Sequence, residues 1–505
     1  MSAHQPTVKA RSVVGGAALS FESGMKKFDI TRSDGSHRVG PICSMVASPA
    51  AIHPPDLVAE TLLMTDKTQP ESITTQNASR RDFLKTGAVV AGTMGLNLTM
   101  NARAFAAGSD QLKVGLVGCG GRGTGAAQQA LTADSQTKLV AVADVFRGQI
   151  DGSLNNLKAN NRIAAQVAVE DDYKFVGLES YKKVIDLCDV VLLASPPGFR
   201  PVHLRAAVEA GKHIFTEKPM ATDAPGVRSV IESVKIAKEK KLGMVAGFCW
   251  RYDTPRREFF KRIHDGQIGD VVSVFGTYLT SPVKPMPPAK TRPEGITDLE
   301  WMVRNWYNFT WLSGDGLVEQ AIHTVDWLQW VMKDAPPARC TAVGGRQIPA
   351  HGGNIFDHIE INYEWDSGVR GFLAQRQIPG CHNENSLYVH GTKGTATIRG
   401  GGDTGVSIEG ANPWKYEGPK SRDMYQIEHD EFFESIRTGK PINDGDRMVT
   451  STLAGILGRT AGYTGKRLAW DQMLNSKEVL VPEITGWDTK VEVAPMAQPG
   501  ITPFI

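Results

Sequence analysis

No C-x-x-C pair occurs among the six cysteines, which lie far apart at Cys43, Cys119, Cys188, Cys249, Cys340 and Cys381. Their scatter indicates neither a disulfide framework nor a zinc site. Excess charge of one sign is also missing. With a formal net charge of +2 there is no electrostatic footprint for nucleic acid or for an anionic membrane surface. Long hydrophobic runs are lacking too. The best uncharged stretch, "TGAVVAGTMGLNLTM" at residues 86–100, is rich in Gly and Ala and too short and weakly apolar for a good membrane span. What remains is ordinary globular composition, 41% hydrophobic and 22% charged, over 505 residues, enough for two or three domains.

Ahead of that stretch stands "SRRDFLK", Ser79 to Lys85, and behind it "NARAFAA", with small residues at signal-peptidase spacing. Twin arginines, a mild apolar segment and A-x-A, in that order, resemble a twin-arginine export signal. The alternative is a basic start to an ordinary helix. Residues 1–63 show no sustained periodicity, and Met64 opens a suitable n-region. The expected organisation is a non-native or disordered leader at 1–63 and a signal peptide at 64–107. The mature chain would then be exported to the periplasm or beyond by the twin-arginine translocation machinery. A leader that is translated and disordered is the competing reading.

"QLKVGLVGCGGRGTGAAQQAL" reads as strand, tight turn and helix. Gly118, Gly120 and Gly123 fall in G-x-G-x-x-G register, with Cys119, Gly121 and Arg122 between them. The first glycine permits the turn, the second lets the backbone approach a pyrophosphate, and the third lets helix pack on strand. The helix N-terminus then offers free N–H groups to phosphate. A second strand, "TKLVAVADV", ends at Asp144, roughly twenty residues on, where the fingerprint expects a ribose-binding carboxylate. A carboxylate there favours NAD over NADP, although Arg147 close behind pulls the other way; a plain strand-end turn residue is the bland alternative. Further strands and helices alternate through "GMVAGF", which implies a doubly wound parallel sheet over residues 108–248. Ligands sit beyond the carboxyl ends of such strands. Ser195, Pro196 and Pro197 fall at one such end, and Glu217 and Lys218 at another.

Beyond Phe248, runs such as "DVVSVFGTYLT", "FDHIEINYEW" and "VRGFLAQRQI" suggest a mainly antiparallel sheet, in a second domain at 249–475 followed by a tail at 476–505. The segment "GLVEQAIHTVDWLQWVM" reads as one helix. At about 100° per residue, Val318, Ala321, Ile322, Val325, Leu328 and Met332 share one side. Glu319, His323, Asp326 and Trp330 share a second stripe roughly 140° away. Glu319 and His323 at i, i+4 can touch, as a functional pair or as an exposed pair of little consequence. Six of the ten tryptophans lie between Trp250 and Trp330, either to pack on sugar rings or simply to fill a core or subunit contact. Arg304, Asn305 and Trp306 are substrate candidates, as are Arg251 and Tyr252 at the domain crossover and Asp326 on the His323 stripe. His351, Asp357 and His358 fit a loop-to-strand transition better than a metal site, so no metal is expected. "IEHDEFFESIR" fits an ordinary amphipathic helix.

The ordered set "GLVGCGGRG", "LLASPP", "EAGKHIFTEKPMA" and "GFCWRYD" resembles the Gfo/Idh/MocA family (glucose–fructose oxidoreductase, inositol dehydrogenase and rhizopine catabolism) over roughly residues 111–475. The resemblance implies a Rossmann domain followed by an α/β domain with a large open sheet, whose outer face commonly joins subunits into a dimer or tetramer. It implies Lys218 and His323 as catalytic residues, with Glu319 where the family carries an orienting Asp, and often a cis bond before Pro219. It implies hydride transfer between a carbohydrate carbon and NAD(P). Export would favour a cofactor that stays bound and is recycled in place. Three chemistries satisfy this: oxidation of one sugar coupled to reduction of another, redox-cycling glycoside hydrolysis by oxidation and elimination, and reoxidation by an external acceptor. A non-catalytic, cofactor-bearing sugar-binding protein is the remaining alternative, and the presence of Lys218 and His323 disfavours it.

Overall fold

The computed structural model describes residues 111–349, 351–400 and 405–505. The twin-arginine segment, the A-x-A site and Met64 lie outside the described residues. Among the described residues no helix is long and apolar enough to cross a membrane.

The first sheet has six parallel strands in the order β3-β2-β1-β4-β5-β6. These are β1 Leu112–Val117, β2 Thr137–Asp144, β3 Lys174–Val176, β4 Val190–Leu193, β5 His213–Thr216 and β6 Met244–Ala246. Five helices alternate with them: α1 Gly121–Ala133, α2 Arg147–Ala159, α3 Ser180–Leu187, α4 Arg200–Glu209 and α5 Ala224–Glu239. The central strands are continuous apolar runs because both faces are covered; Val190 to Leu193 are all completely buried. Each such side chain contributes about 1.5–3 kcal/mol over its exposed state. The three-residue strand β3 carries too little apolar alternation to be read from sequence.

After a 3-10 turn at Cys249–Tyr252 and α6 (Thr254–His264), the chain builds a nine-stranded sheet. Its long central strands are β7 (Val271–Thr280), β9 (His358–Glu364), β10 (Arg370–Gln377) and β11 (Ser386–Gly391), with β8 (Arg339–Gly345) beside β9. All pairings are antiparallel except β7 with β10. The expected fold class, a parallel Rossmann sheet and then a mainly antiparallel open sheet, is therefore observed.

Two short helices follow β7, α7 (Asp298–Arg304) and α8 (Thr310–Ser313). The predicted single helix after residue 315 is broken. It forms α9 (Gly316–Glu319) and α10 (Ile322–Val331), with Gln320 and Ala321 between. Asp315, at φ +105°, caps α9: its carboxylate accepts the N–H groups of Leu317 and Phe356. Later the chain returns to the first domain. Helix α11 (Met424–Arg437) packs on α1 and places Phe432 and Phe433 in the nucleotide-domain core, and α12 (Gly445–Thr464) packs on α5 and β8. The segment 476–505 is likewise packed against the body of the molecule rather than trailing from it.

Candidate active site

The glycine loop adopts the geometry its register requires. Gly118 has φ +93°, and a Cβ there would lie 2.7 Å from the Ala194 carbonyl carbon. A Cβ on Gly123 would lie 1.8 Å from the Gly118 carbonyl oxygen, so only glycine lets α1 approach β1 this closely. Helix α1 begins after Gly120 with no side-chain cap, which leaves its first-turn N–H groups available to an anion. Asp144, at the carboxyl end of β2, accepts the N–H of Cys119 at 2.7 Å and that of Phe146 at 2.9 Å. Burial nevertheless holds its pKa above the usual carboxylate range.

A cleft of about 800 Å³ opens here. One wall is Gly118, Gly120, Gly121, Asp144 and Phe146; the facing wall is Lys284, Val303, Arg304 and Trp306. Ser195 and Pro196 also line it. A glycine cradle, an uncapped helix start and a strand-end carboxylate together fit a dinucleotide.

Several predicted cofactor residues point elsewhere. Cys119 is buried, and its thiol faces the Ala143 carbonyl. The Arg122 guanidinium pairs with Glu217 at 2.7 Å and lies over the Tyr425 ring, tying α1 to Glu217 and α11. Arg122 and Glu217 therefore satisfy each other and do not line the cleft. Pro197 is buried at the start of the short turn that leads into α4.

The substrate assignments change more. Arg251 is 4% exposed and forms a paired contact with Asp326, 2.8 Å at both nitrogens, with Asp334 and the Ser451 hydroxyl completing the network. Tyr252 is buried against Asp444 and Arg447. These groups bond one another and anchor the domain crossover to α10 through Asp326 and to the start of α12 through Asp444 and Arg447. Arg304 and Trp306 line the cofactor cleft instead, with Arg304 over the Phe146 ring at 4.3 Å. Asn305 is buried, its amide bonded to the Trp301 carbonyl. Of the six tryptophans between Trp250 and Trp330, Trp311 and Trp327 are buried, and the other four are half-buried against the apolar clusters, Trp330 stacking on Phe260. Asp357 accepts the N–H groups of Gln347 and Ile348, and His358 opens β9, as a loop-to-strand transition requires.

Lys218 and His323 gather where β5 meets the broken helix. The Lys218–Pro219 bond is cis. Lys218 Nζ donates to the Glu319 carbonyl at 2.6 Å and lies 3.2 Å from Glu319 Oε1. The helix break makes this possible. In a continuous helix the Glu319 carbonyl would accept the N–H of His323. Here that N–H goes to Gln320, and the freed carbonyl turns to the lysine. The other carboxylate oxygen accepts Gln320 Nε2 at 2.6 Å, and Gln320 Oε1 accepts the Tyr278 hydroxyl at 2.8 Å. Glu319 thus orients Lys218, whereas the family resemblance implied that it would orient His323. The imidazole is held by ring contacts: Trp250 at 4.8 Å and Phe248 edge-on at 6.4 Å. Its Nδ1 is buried with no hydrogen-bond partner. Burial, reinforced by the charges of Lys218 and Arg256, pushes its pKa well below that of free histidine, so the ring is neutral.

Two contributors escaped sequence reading. Phe146 needed only its place just past the end of β2 to be suspected. Arg200, fully buried, donates to the carbonyls of Ser195 and Pro219 and so clamps together the loops after β4 and β5. Desolvation lowers its pKa to about 10. No local motif announces an arginine whose partners come from two different loops.

Comparison with known proteins accords with this geometry. Residues 112–248 match the model for the oxidoreductase family with an NAD-binding Rossmann fold, and residues 256–397 match the Gfo/Idh/MocA C-terminal domain. The chain is 24% identical over 350 residues to an inositol 2-dehydrogenase of Rhizobium meliloti, covering 66% of this chain and 92% of that protein. It is 22% identical over 353 residues to a glycosyl hydrolase family 109 protein of Shewanella baltica, covering 64% and 66%. Among solved structures, the WlbA dehydrogenase of Bordetella pertussis in complex with NADH and UDP-GlcNAcA superposes with a TM-score of 0.54 at 20% identity, over 71% of this chain and 97% of that one. Two consecutive domain matches, laid over a glycine cradle and a lysine at the end of β5, make this chain a member of the Gfo/Idh/MocA family of NAD-dependent oxidoreductases.

Proposed function

We propose that the protein is an exported sugar or polyol oxidoreductase that keeps its nicotinamide cofactor bound and recycles it in place. The observation that carries the reading is the convergence of a neutral His323 and a Lys218 ammonium fixed on the Glu319 carbonyl. The bound nicotinamide supplies the hydride acceptor. Oxidation of a secondary alcohol also requires loss of the hydroxyl proton, and His323, unprotonated beside Lys218, is the ring nitrogen base that accepts it. Lys218 donates a hydrogen bond to the same oxygen and stabilises the negative charge that develops there. Glu319, braced by Gln320 and Tyr278, keeps the ammonium in place. Asp144 favours NAD over NADP, since a 2′-phosphate would meet its carboxylate.

Export rests on "SRRDFLK" and the segments behind it. It requires retention, because free NAD is scarce outside the cytoplasm. The likeness to a glycosyl hydrolase family 109 protein supports a second reading, in which transient oxidation acidifies a neighbouring C–H and the glycosidic bond is lost by elimination. One assay separates the two. Purified protein, with no nucleotide added, is given paired free sugars and, separately, aryl glycosides. Reduction of one sugar at the expense of another supports the oxidoreductase; aryl release without net reduction replaces it with the hydrolase. Protein from the exported fraction that carries no nucleotide would overturn recycling in both.

A further inference from the structure

The segment after Leu474 has no helix or strand, yet it is pinned at several points. Arg228 donates to the carbonyls of Leu474 and Ser476, the buried Asp223 accepts the N–H of Leu480 at 2.8 Å, and Asn354 donates to the Ala494 carbonyl. Between these anchors Leu480, Val481, Ile484, Trp487 and Val491 turn inward. They join one apolar cluster with Leu299, Met302 and Val303, the residues that run into the cleft wall at Arg304 and Trp306. Trp487 also stacks on Phe146, ring centroids 5.9 Å apart and 27° between planes, while Arg304 covers Phe146 at 4.3 Å. Phe146 lies two residues past Asp144, so the contact falls at the adenosine end of the cleft.

We infer that residues 480–491 are a strap that fastens the facing wall of the cleft down onto the nucleotide domain and so controls how slowly the dinucleotide leaves. The inference rests on the proposed retention of cofactor and names the residues responsible. Opening the cleft requires the wall at Val303–Trp306 to lift, and that wall is packed on the strap. Lifting it either peels the wall off the strap's apolar side chains or, where the strap travels with the wall, breaks the Trp487–Phe146 stack. Either cost falls on the route out and slows release.

The test uses full-length holoenzyme loaded with NADH and chased with excess NAD, with release followed as loss of nicotinamide fluorescence. Trp487→Ala should release NADH several-fold to about tenfold faster, the scale expected for a half-buried stacked aromatic pair. Trp487→Leu, which keeps apolar volume and spares folding, should fall between wild type and Trp487→Ala. Release at the wild-type rate from either folded variant overturns the strap. The retention reading fails separately: wild-type protein that purifies without nucleotide, or that releases NADH faster than it turns over, defeats retention, while a faster variant would still identify the strap.

Discussion

The glycine loop and the Glu319–His323 segment are opposite cases of one problem, the placing of a few functional atoms. In the loop the requirement is local. Gly118 must take a positive φ, and Gly123 must leave room for a carbonyl one turn away, so residue type and spacing suffice. In the Glu319–His323 segment local pattern misleads. Seventeen residues of good helical periodicity break at Gln320 and Ala321, and the break frees a main-chain carbonyl for a lysine more than a hundred positions earlier. A main-chain acceptor has no side-chain signature, so periodicity cannot reveal it.

Substitutions can sharpen this contrast. The largest effect is expected at Gly123→Val: the new side chain would occupy the position of the Gly118 carbonyl, and nucleotide binding by the purified variant should be abolished or folding lost. Lys218→Met and His323→Asn come next. Each should lower turnover by about 10²–10⁴-fold while nucleotide stays bound, read by absorbance of the protein-bound cofactor. Unchanged turnover in either would remove that residue from the chemistry. Glu319→Gln should cost less, about tenfold, because the Glu319 carbonyl still holds Lys218. A loss as large as that of Lys218→Met would instead return Glu319 to a direct role beside the histidine.

The most gradual effect, spread over several pH units, is a pH slope. His203 and His429 are buried, with pKa values pushed down to about 3 by desolvation. Their unfolded forms bind a proton near pH 6.5, while the folded forms resist it. Their contribution to stability is therefore complete above pH 6.5 and declines on acidification toward pH 3, by at most about 1.4 kcal/mol per pH unit for each group. Thermal unfolding at stepped pH should show the decline, and His429→Gln should flatten it. His323, also held neutral, should keep turnover constant through pH 6.5; an acidic limb centred there would contradict its burial.

What was readable in the sequence follows the reach of each interaction. Alternating strands and helices, the glycine register and Asp144 depend on neighbours within a few turns of chain, and they stand where they were expected. The residue type of Arg251 and Asp326 was equally visible, but not that they face each other across the crossover. Arg304 and Trp306 suit a sugar by residue type, since aromatics and guanidinium pack and bond on sugars; the fold sets them in the wall of the cleft beside Asp144. The segment 476–505 read as a tail because it lacks periodicity, and a strap that makes its contacts one side chain at a time has no period to show.

The sequence by itself determined the parallel nucleotide domain and the glycine turn at its first strand, and it carried the motifs that place a lysine after β5 and a histidine on the later helical segment. Only the tertiary structure decided that Glu319 contacts the lysine, that Arg251 and Asp326 are spent on each other, and that the C-terminal segment packs beside the cleft wall. The reason is physical: backbone conformation and helix approach are set by residues near in sequence, whereas a buried charge or an apolar side chain is satisfied by whatever the folded chain brings beside it.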